Sequence, residues 1–412
     1  MVVAAALVAV VLVHPAPRVR ACAMLGALVL APVLLLAAIW NSPQLGVIHR
    51  HPLEAAVGAL VVLAGVGVLA LAMYRRPWLL APLAVFTLPF RIPIAAGGTT
   101  SNLLVPLYLV VGAGALAAVV SILWRRGGMH GREGVVEDEP RPGWVERLLA
   151  LYVVLYALQA IYSPSFEKAL QQMVFFYVPF ALVYCLLRRL RWTPQLLRRC
   201  FGVVVTLALI FCVIGYVEFA TKTLLLNPKL IAQNNVHTYF AINSVFFDPD
   251  VFGRFLALVM LTVATVLVYA RAQRTQLVSI GVLAALWAGL VFTLSRSSLG
   301  ALLVGLGVIG AMRWRAKPVL LVAAAVVVIG IAALAISPKT FGLNQGLNGA
   351  SSGRAGLVSG GARLFGDRPL WGYGSGSFER EYLCHIQHHC GTPSSTSTTL
   401  SASHTIAVTI AA

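Results

Sequence analysis

The chain has 412 residues, of which 59% are hydrophobic and 11% charged, where soluble domains hold about 45–50% and about 25%. With a mean hydropathy of +0.87, no soluble core could hide its apolar side chains, which excludes a soluble enzyme, a disordered chain and a secreted disulfide scaffold. Its 31 Lys and Arg against 13 Asp and Glu come in short clusters between apolar runs, the pattern of membrane loops and not of a nucleic-acid face.

A membrane-spanning helix needs roughly 20 apolar residues. The sequence predicts spans at 21–40, 53–73, 78–95, 103–124, 147–163, 169–187, 200–220, 251–270, 277–295, 297–312 and 318–337. The run at 2–13 has no Lys or Arg before it, as a signal peptide requires, and reads as a first helix. The fold expected is all-α: a polytopic transmembrane helical bundle of about 12 spans. That bundle covers 1–337, one large extracytoplasmic loop covers 338–402, and a further helix starts at 403–412. Pro82, Pro89 and Pro93 predict a kinked span over 78–95. Basic clusters at Arg18/Arg20, Arg75/Arg76, Arg125/Arg126/Arg132, Arg188–Arg199, Arg271/Arg274 and Arg313/Arg315/Lys317 fall on every second connection. That side is assigned to the cytoplasm. The connection at 125–146, with Glu133, Glu137, Asp138 and Glu139, reads as a solvated linker. Cys22, Cys185, Cys200 and Cys212 lie in or beside apolar runs and read as packing residues.

This topology puts 221–250, Ser295–Ser298 and 338–402 outside the cytoplasm. Glu54 and Glu218 lie only at span ends, which counts against an ion-coupled carrier with ionisable groups at mid-membrane. Arg91, Arg254 and Arg296 fall at the outer face. Each either snorkels to a headgroup or offers its planar fork of donors to a phosphorylated ligand. Asp248 and Asp250 read as a pair at a helix N-terminus or as an ion-pair partner for Arg254. In the long loop, Ser352-Gly353-Arg354 is followed by Pro369-Leu370-Trp371-Gly372-Tyr373-Gly374-Ser375-Gly376-Ser377-Phe378. Gly372, Gly374 and Gly376 lack the Lys-Ser/Thr of a phosphate-binding loop and fit a turn or a close backbone approach. Arg354, Arg363, Arg368 and Arg380 make the loop basic. Cys384 and Cys390 bracket three His, with a disulfide, free thiols and a metal site all open, although the spacing matches no standard zinc pattern. His404, where the loop meets an apolar run, suits a general base or a capping role.

Phe247-Asp248-Pro249-Asp250 before a span, Leu294-Ser295-Arg296-Ser297 at an outer connection, Ser352-Gly353-Arg354, the Pro369–Phe378 run and Ser403-His404, in this order, resemble the O-antigen ligase / O-antigen polymerase superfamily. The resemblance implies a bundle that moves a glycan from a polyprenyl-diphosphate carrier such as undecaprenyl diphosphate to a hydroxyl on a lipid, glycan or protein. It sets the work at the extracytoplasmic face of a bacterial cytoplasmic membrane. It gives Arg254, Arg296 and Arg354 the donor diphosphate and His404 the role of base, with inversion at the anomeric carbon, no metal and no cofactor. Thr405 stands where the family has Asn. The chain stops at Ala412 within an apolar run that the family continues, which implies a fragment. The rival expectations are a carrier or flippase for a small anion or lipid-linked sugar, and a structural membrane scaffold.

Overall fold

The computed structural model describes residues 1–39, 51–96, 99–124, 142–224, 240–246, 248–314 and 354–386. They fall into two compact units: the described parts of Met1–Ala84, Ile92–Trp192 and Lys339–Ala412, and those of Val85–Arg91 with Thr193–Pro338.

The first unit opens with α1 (Val2–Val13) and α2 (Pro17–Ile39), broken at His14-Pro15 because Pro15 has no N–H to continue the helix. Pro17 restarts it at the first helical position, where no donor is needed. Next come α3 (Pro52–Arg75), a 3-10 turn at Pro77–Leu79 and α4 (Leu80–Thr87). A hairpin of β1 (Ile92–Ala96) and β2 (Thr99–Leu103), paired antiparallel from Ile92↔Leu103 to Ala96↔Thr99, leads to α5 (Val105–Leu123). α6 (Trp144–Gln159) is followed by α7 (Phe166–Gln172), a π turn at Met173–Tyr177 and α8 (Val178–Arg188). α1 packs against α2, α6 and α8, burying Ala4, Ala5, Val8 and Leu12. α5 packs on α2, α3 and α8. A Cβ at Gly114 would lie 2.8 Å from Leu80 and 3.2 Å from Leu186.

The π turn has a local cause. Pro179 cannot donate to the carbonyl of Phe175 four residues back, and Tyr108 Oη of α5 donates to that oxygen at 2.9 Å instead. An unpaired carbonyl in hydrocarbon is costly, so a neighbouring helix supplies the donor.

The second unit holds α9 (Pro194–Thr221), α10 (Pro249–Tyr269), α11 (Gln273–Phe292) and α12 (Arg296–Arg313). Each start but that of α11 carries a side-chain cap: Thr193 Oγ1 accepts from Leu196 N at 3.2 Å, Asp248 Oδ1 from Asp250 N at 2.7 Å, and Ser295 Oγ from Ser298 N at 3.4 Å. α10 packs on α11 and α12, and α9 on α11. Phe211, Phe252, Leu256, Leu286, Leu290 and Leu302 form the core, with Gly289 against Cys212.

Seven described helices are long and apolar enough to cross a bilayer: Pro17–Leu34, Pro52–Arg75, Val105–Leu123, Phe166–Arg188, Pro194–Thr221, Pro249–Tyr269 and Gln273–Phe292. The expected span at 318–337 lies outside the described residues. The span expected at 78–95 is corrected: α4 ends at Thr87, and the chain turns into the hairpin. Pro89 and Pro93 each remove a helical donor, and each biases the residue before it to extended backbone, so the segment breaks and does not merely kink. The packing role expected for four cysteines holds for Cys185 and Cys212, which are buried, but not for Cys22, which is exposed.

Candidate functional site

In the second unit, one end gathers the C-termini of α9 and α11 and the N-termini of α10 and α12. Ile242 N donates to Phe292 O at 3.2 Å, which ties the segment 240–246 to the end of α11. Glu218, on the last turns of α9 and 1% exposed, accepts the N–H groups of Asn243 and Ser244 on Oε2 at 3.2 and 2.8 Å. Phe246 stacks on Phe252 with centroids 5.4 Å apart, joining this segment to the first turn of α10.

The two helix starts touch. A Cβ at Gly253 would lie 2.8 Å from Ser298 Oγ and 3.0 Å from Ser295 Cβ and Thr293 Oγ1. Glycine therefore lets the backbone of α10 reach the cap of α12. Arg254 follows that glycine and Arg296 follows the capping serine, and both are exposed. Arg254 Nε donates to Asp250 O at 3.1 Å, which lays its stem along the first turn. Two helix N-termini carry partial positive charge. With a guanidinium beside each, they form an anion-attracting end. Asp248 spends one carboxylate oxygen on the cap of α10. Among the described residues no group of three or more His, Cys, Asp or Glu could hold a metal ion.

In the first unit, α13 (Arg354–Asp367), the glycine run and α14 (Phe378–Glu381) with the π turn Tyr382–Ile386 form a small body around Leu357, Leu364, Tyr373, Phe378 and Tyr382. It docks on the corner between α6 and α7. Ser375 Oγ donates to Tyr156 O at 2.8 Å, Ser163 Oγ to Ser375 O at 2.7 Å, and Arg380 Nη1 to Pro164 O at 2.9 Å. Tyr162 Oη donates to Trp371 O. Lys168 Nζ pairs with Glu379 Oε2 at 2.7 Å. The glycines explain the fit. Gly372, Gly374 and Gly376 have φ of 63°, 94° and 79°. A Cβ at Gly374 would lie 2.6 Å from Ser163 Cα, and one at Gly376 would lie 3.0 Å from Ala169 N. The run is a docking clamp whose partner is the chain's own backbone. Two of the loop's arginines have internal work: Arg380 holds the corner, and Arg368 lies 4.6 Å from the Tyr373 ring centroid.

The predicted residues are thus distributed. Arg254, Arg296, Asp248 and Asp250 share one end of the second unit, and Arg91, exposed, closes its Val85–Arg91 segment. Arg354 opens α13 in the first unit. Cys384 is disulfide-bonded, while its expected partner Cys390, with Phe247 and His404, lies outside the described residues. Sequence reasoning missed Tyr156, Ser163 and Lys168 at the corner, and Asn243 and Ser244. None of these belongs to a motif, and their roles come from segments far apart in the chain.

The family model Wzy_C, O-antigen ligase, covers residues 280–402; no curated protein and no solved structure matches the chain. The matched segment takes in Arg296, Arg354, the glycine run and both loop cysteines, and leaves Arg254 and His404 outside it. Residues 280–402, which hold most of the motifs that carry the resemblance, are thus similar to the O-antigen ligase family.

Proposed function

We propose that the chain transfers a glycan from a polyprenyl-diphosphate carrier to a hydroxyl acceptor at the extracytoplasmic face of a bacterial cytoplasmic membrane. The observation that carries this reading is the contact of two helix N-termini across Gly253, with Arg254 in the second turn of α10 and Arg296 at the first position of α12. A diphosphate is the ligand that such an end suits, because guanidinium forks match phosphate oxygens and the positive helix ends favour negative charge. Arg354 and His404 take the roles that the resemblance gives them, a third phosphate contact and the general base. The disulfide at Cys384 agrees with a loop outside the reducing cytoplasm.

In the reaction, the acceptor hydroxyl attacks the anomeric carbon from the side opposite the diphosphate. A new C–O bond forms, the bond from the anomeric carbon to the phosphate oxygen breaks, and the hydroxyl proton passes to His404. The polyprenyl diphosphate leaves with the electron pair, and the arginines stabilise the charge that grows on it. Fixed guanidinium groups do the work for which other transferases use a divalent ion.

The test quantifies polyprenyl-diphosphate-linked glycan in lipid extracts of the host, at matched membrane expression. Arg254→Ala, Arg296→Ala and His404→Ala should each make the carrier-linked glycan accumulate and its transfer product disappear. Unchanged carrier-linked glycan in all three variants would overturn the reading. Loss of transfer on saturating chelation of divalent metals would overturn its metal-free part.

A further inference from the structure

The segment that leads into α10 is built at a cost that the transfer chemistry above does not use. Asn243 and Ser244 are wholly buried, yet Asn243 Nδ2, Asn243 Oδ1 and Ser244 Oγ have no hydrogen-bond partner. Ser244 also sits at a φ of 52°, in the left-handed region that a residue with a Cβ seldom adopts. Buried polar atoms are normally paired, and an apolar side chain of the same shape would remove the penalty. Three orphaned atoms on two consecutive residues, one of them strained, are the kind of feature that collects at functional sites.

The identity of the atoms narrows the ligand. A cation would satisfy Asn243 Oδ1 and Ser244 Oγ but leave the Nδ2 donors empty. An anion would satisfy Nδ2 and the Ser244 hydroxyl proton but leave Oδ1 empty. A group bearing hydroxyls both donates and accepts, so it can satisfy all three. The location narrows it further. Phe246 N donates to Asn243 O at 3.0 Å, and Phe246 stacks on Phe252, two residues before Arg254.

We infer that Asn243 and Ser244 form a subsite for the hydroxyls of the sugar joined to the donor diphosphate. The inference rests on the reading of Arg254 and Arg296 as the diphosphate contacts. The three atoms are covered in this structure, and Ile242 and Phe246 on either side are anchored in the core of the unit. The sugar therefore reaches them when the Asn243-Ser244 turn itself opens, a turn held by the two N–H bonds to Glu218.

The test uses the full chain purified in detergent and two probes, the carrier-linked glycan extracted from the host and sugar-free undecaprenyl diphosphate. Asn243→Leu keeps the side-chain volume and removes both polar ends. It should weaken binding of the glycan probe about tenfold, leave the sugar-free probe unaffected, and hold or raise the melting temperature. Ser244→Ala removes the orphaned hydroxyl with no demand for space and should act in the same direction. Arg254→Ala checks the underlying reading separately, since it should weaken both probes. A lowered melting temperature with unchanged glycan affinity in both turn variants would make the pair structural and sink the inference. Equal weakening of both probes would sink it too, because the turn would then act on the diphosphate and not on the sugar.

Discussion

Replacing Gly374 by alanine tests the docking clamp directly. The new Cβ would lie 2.6 Å from Ser163 Cα, 2.8 Å from Ser163 Cβ and 3.1 Å from Gln159 O. The nearest of these is backbone, so no side-chain rotation relieves the contact. Overpacking of this kind costs about 1–3 kcal/mol. A φ of 94° on an L-residue adds roughly 1–2 kcal/mol. The polar contacts that hold the body to the corner are three neutral hydrogen bonds of about 1 kcal/mol each, a bond from the exposed Arg380 guanidinium and a partly exposed ion pair worth about 1 kcal/mol or less. The substitution therefore removes most of what the docking supplies, and the 354–386 body should detach while the helices persist. Limited trypsinolysis of the full chain reads this out at Arg380, whose guanidinium is held on Pro164 O in the docked state. Cleavage there should accelerate in Gly374→Ala. Gly366→Ala is the control: nothing lies within 4 Å of its Cβ position, and alanine in a helix gains roughly 0.5–1 kcal/mol over glycine. Equal protection of Arg380 in both variants would refute the claim that close approach, and not flexibility, explains the glycine run.

Two further outcomes follow from the same reasoning. Gly253→Ala would force α10 away from Ser295, Ser298 and Thr293, so transfer should fall at least tenfold, a loss of about 1.4 kcal/mol or more at the transition state, while the chain stays folded; unchanged initial rates in membranes would refute it. Glu146 is 5% exposed and accepts from Gly143 N and Tyr184 Oη, both at 2.6 Å, with Arg188 Nη1 at 3.0 Å. Burial works to raise its carboxyl pKa, but the Tyr184 hydroxyl, the backbone N–H groups and the Arg188 guanidinium outweigh it and hold the value below the ordinary 4.5. A depressed folded pKa gives stability that is present above the unfolded value and lost as pH falls through the folded one. Glu146→Gln should therefore cost about 1–3 kcal/mol at neutral pH and remove part of the acid-side decline in melting temperature; an unchanged pH profile would contradict it.

The helices were legible because apolar run length and proline position are local signals. Run length alone places the starts of α9 and α10 at 200 and 251, later than the structure has them. It leaves unread the signals at Thr193-Pro194 and Asp248-Pro249, a capping side chain followed by a residue that needs no donor. Arg254 and Arg296 were legible as a pair through topology, since both sit at starts that the charge alternation places on one face. The break after Thr87 was misjudged. Three prolines can kink or end a helix, and the choice depends on whether neighbours satisfy the freed carbonyls, which the local sequence does not encode. Tyr108 does so for Phe175 across a separation of 67 residues. The glycine run was visible as a run, but its partner was not, because Ser163 and Ala169 lie some two hundred residues earlier and carry no motif of their own.

One physical rule accounts for the irregular backbone at both candidate regions. Where a membrane protein leaves the helix, its polar backbone groups must find partners inside the protein. The second unit meets this with a buried carboxylate, Glu218, that takes two N–H groups of the 240–246 segment. The first meets it with serines: Ser375 and Ser163 exchange hydroxyl bonds for carbonyls across the corner. Both solutions need the backbones close together, and glycine at 253, 374 and 376 provides that approach. Among the described residues the buried side-chain atoms without a partner are those of Asn243 and Ser244, and none is at the corner. A clamp that only has to hold can satisfy every atom by itself. On the proposed reading, a site that accepts a hydroxyl-rich substrate keeps some of its hydrogen-bonding capacity unspent, in the segment that leads into the helix of Arg254 and not at the glycine run.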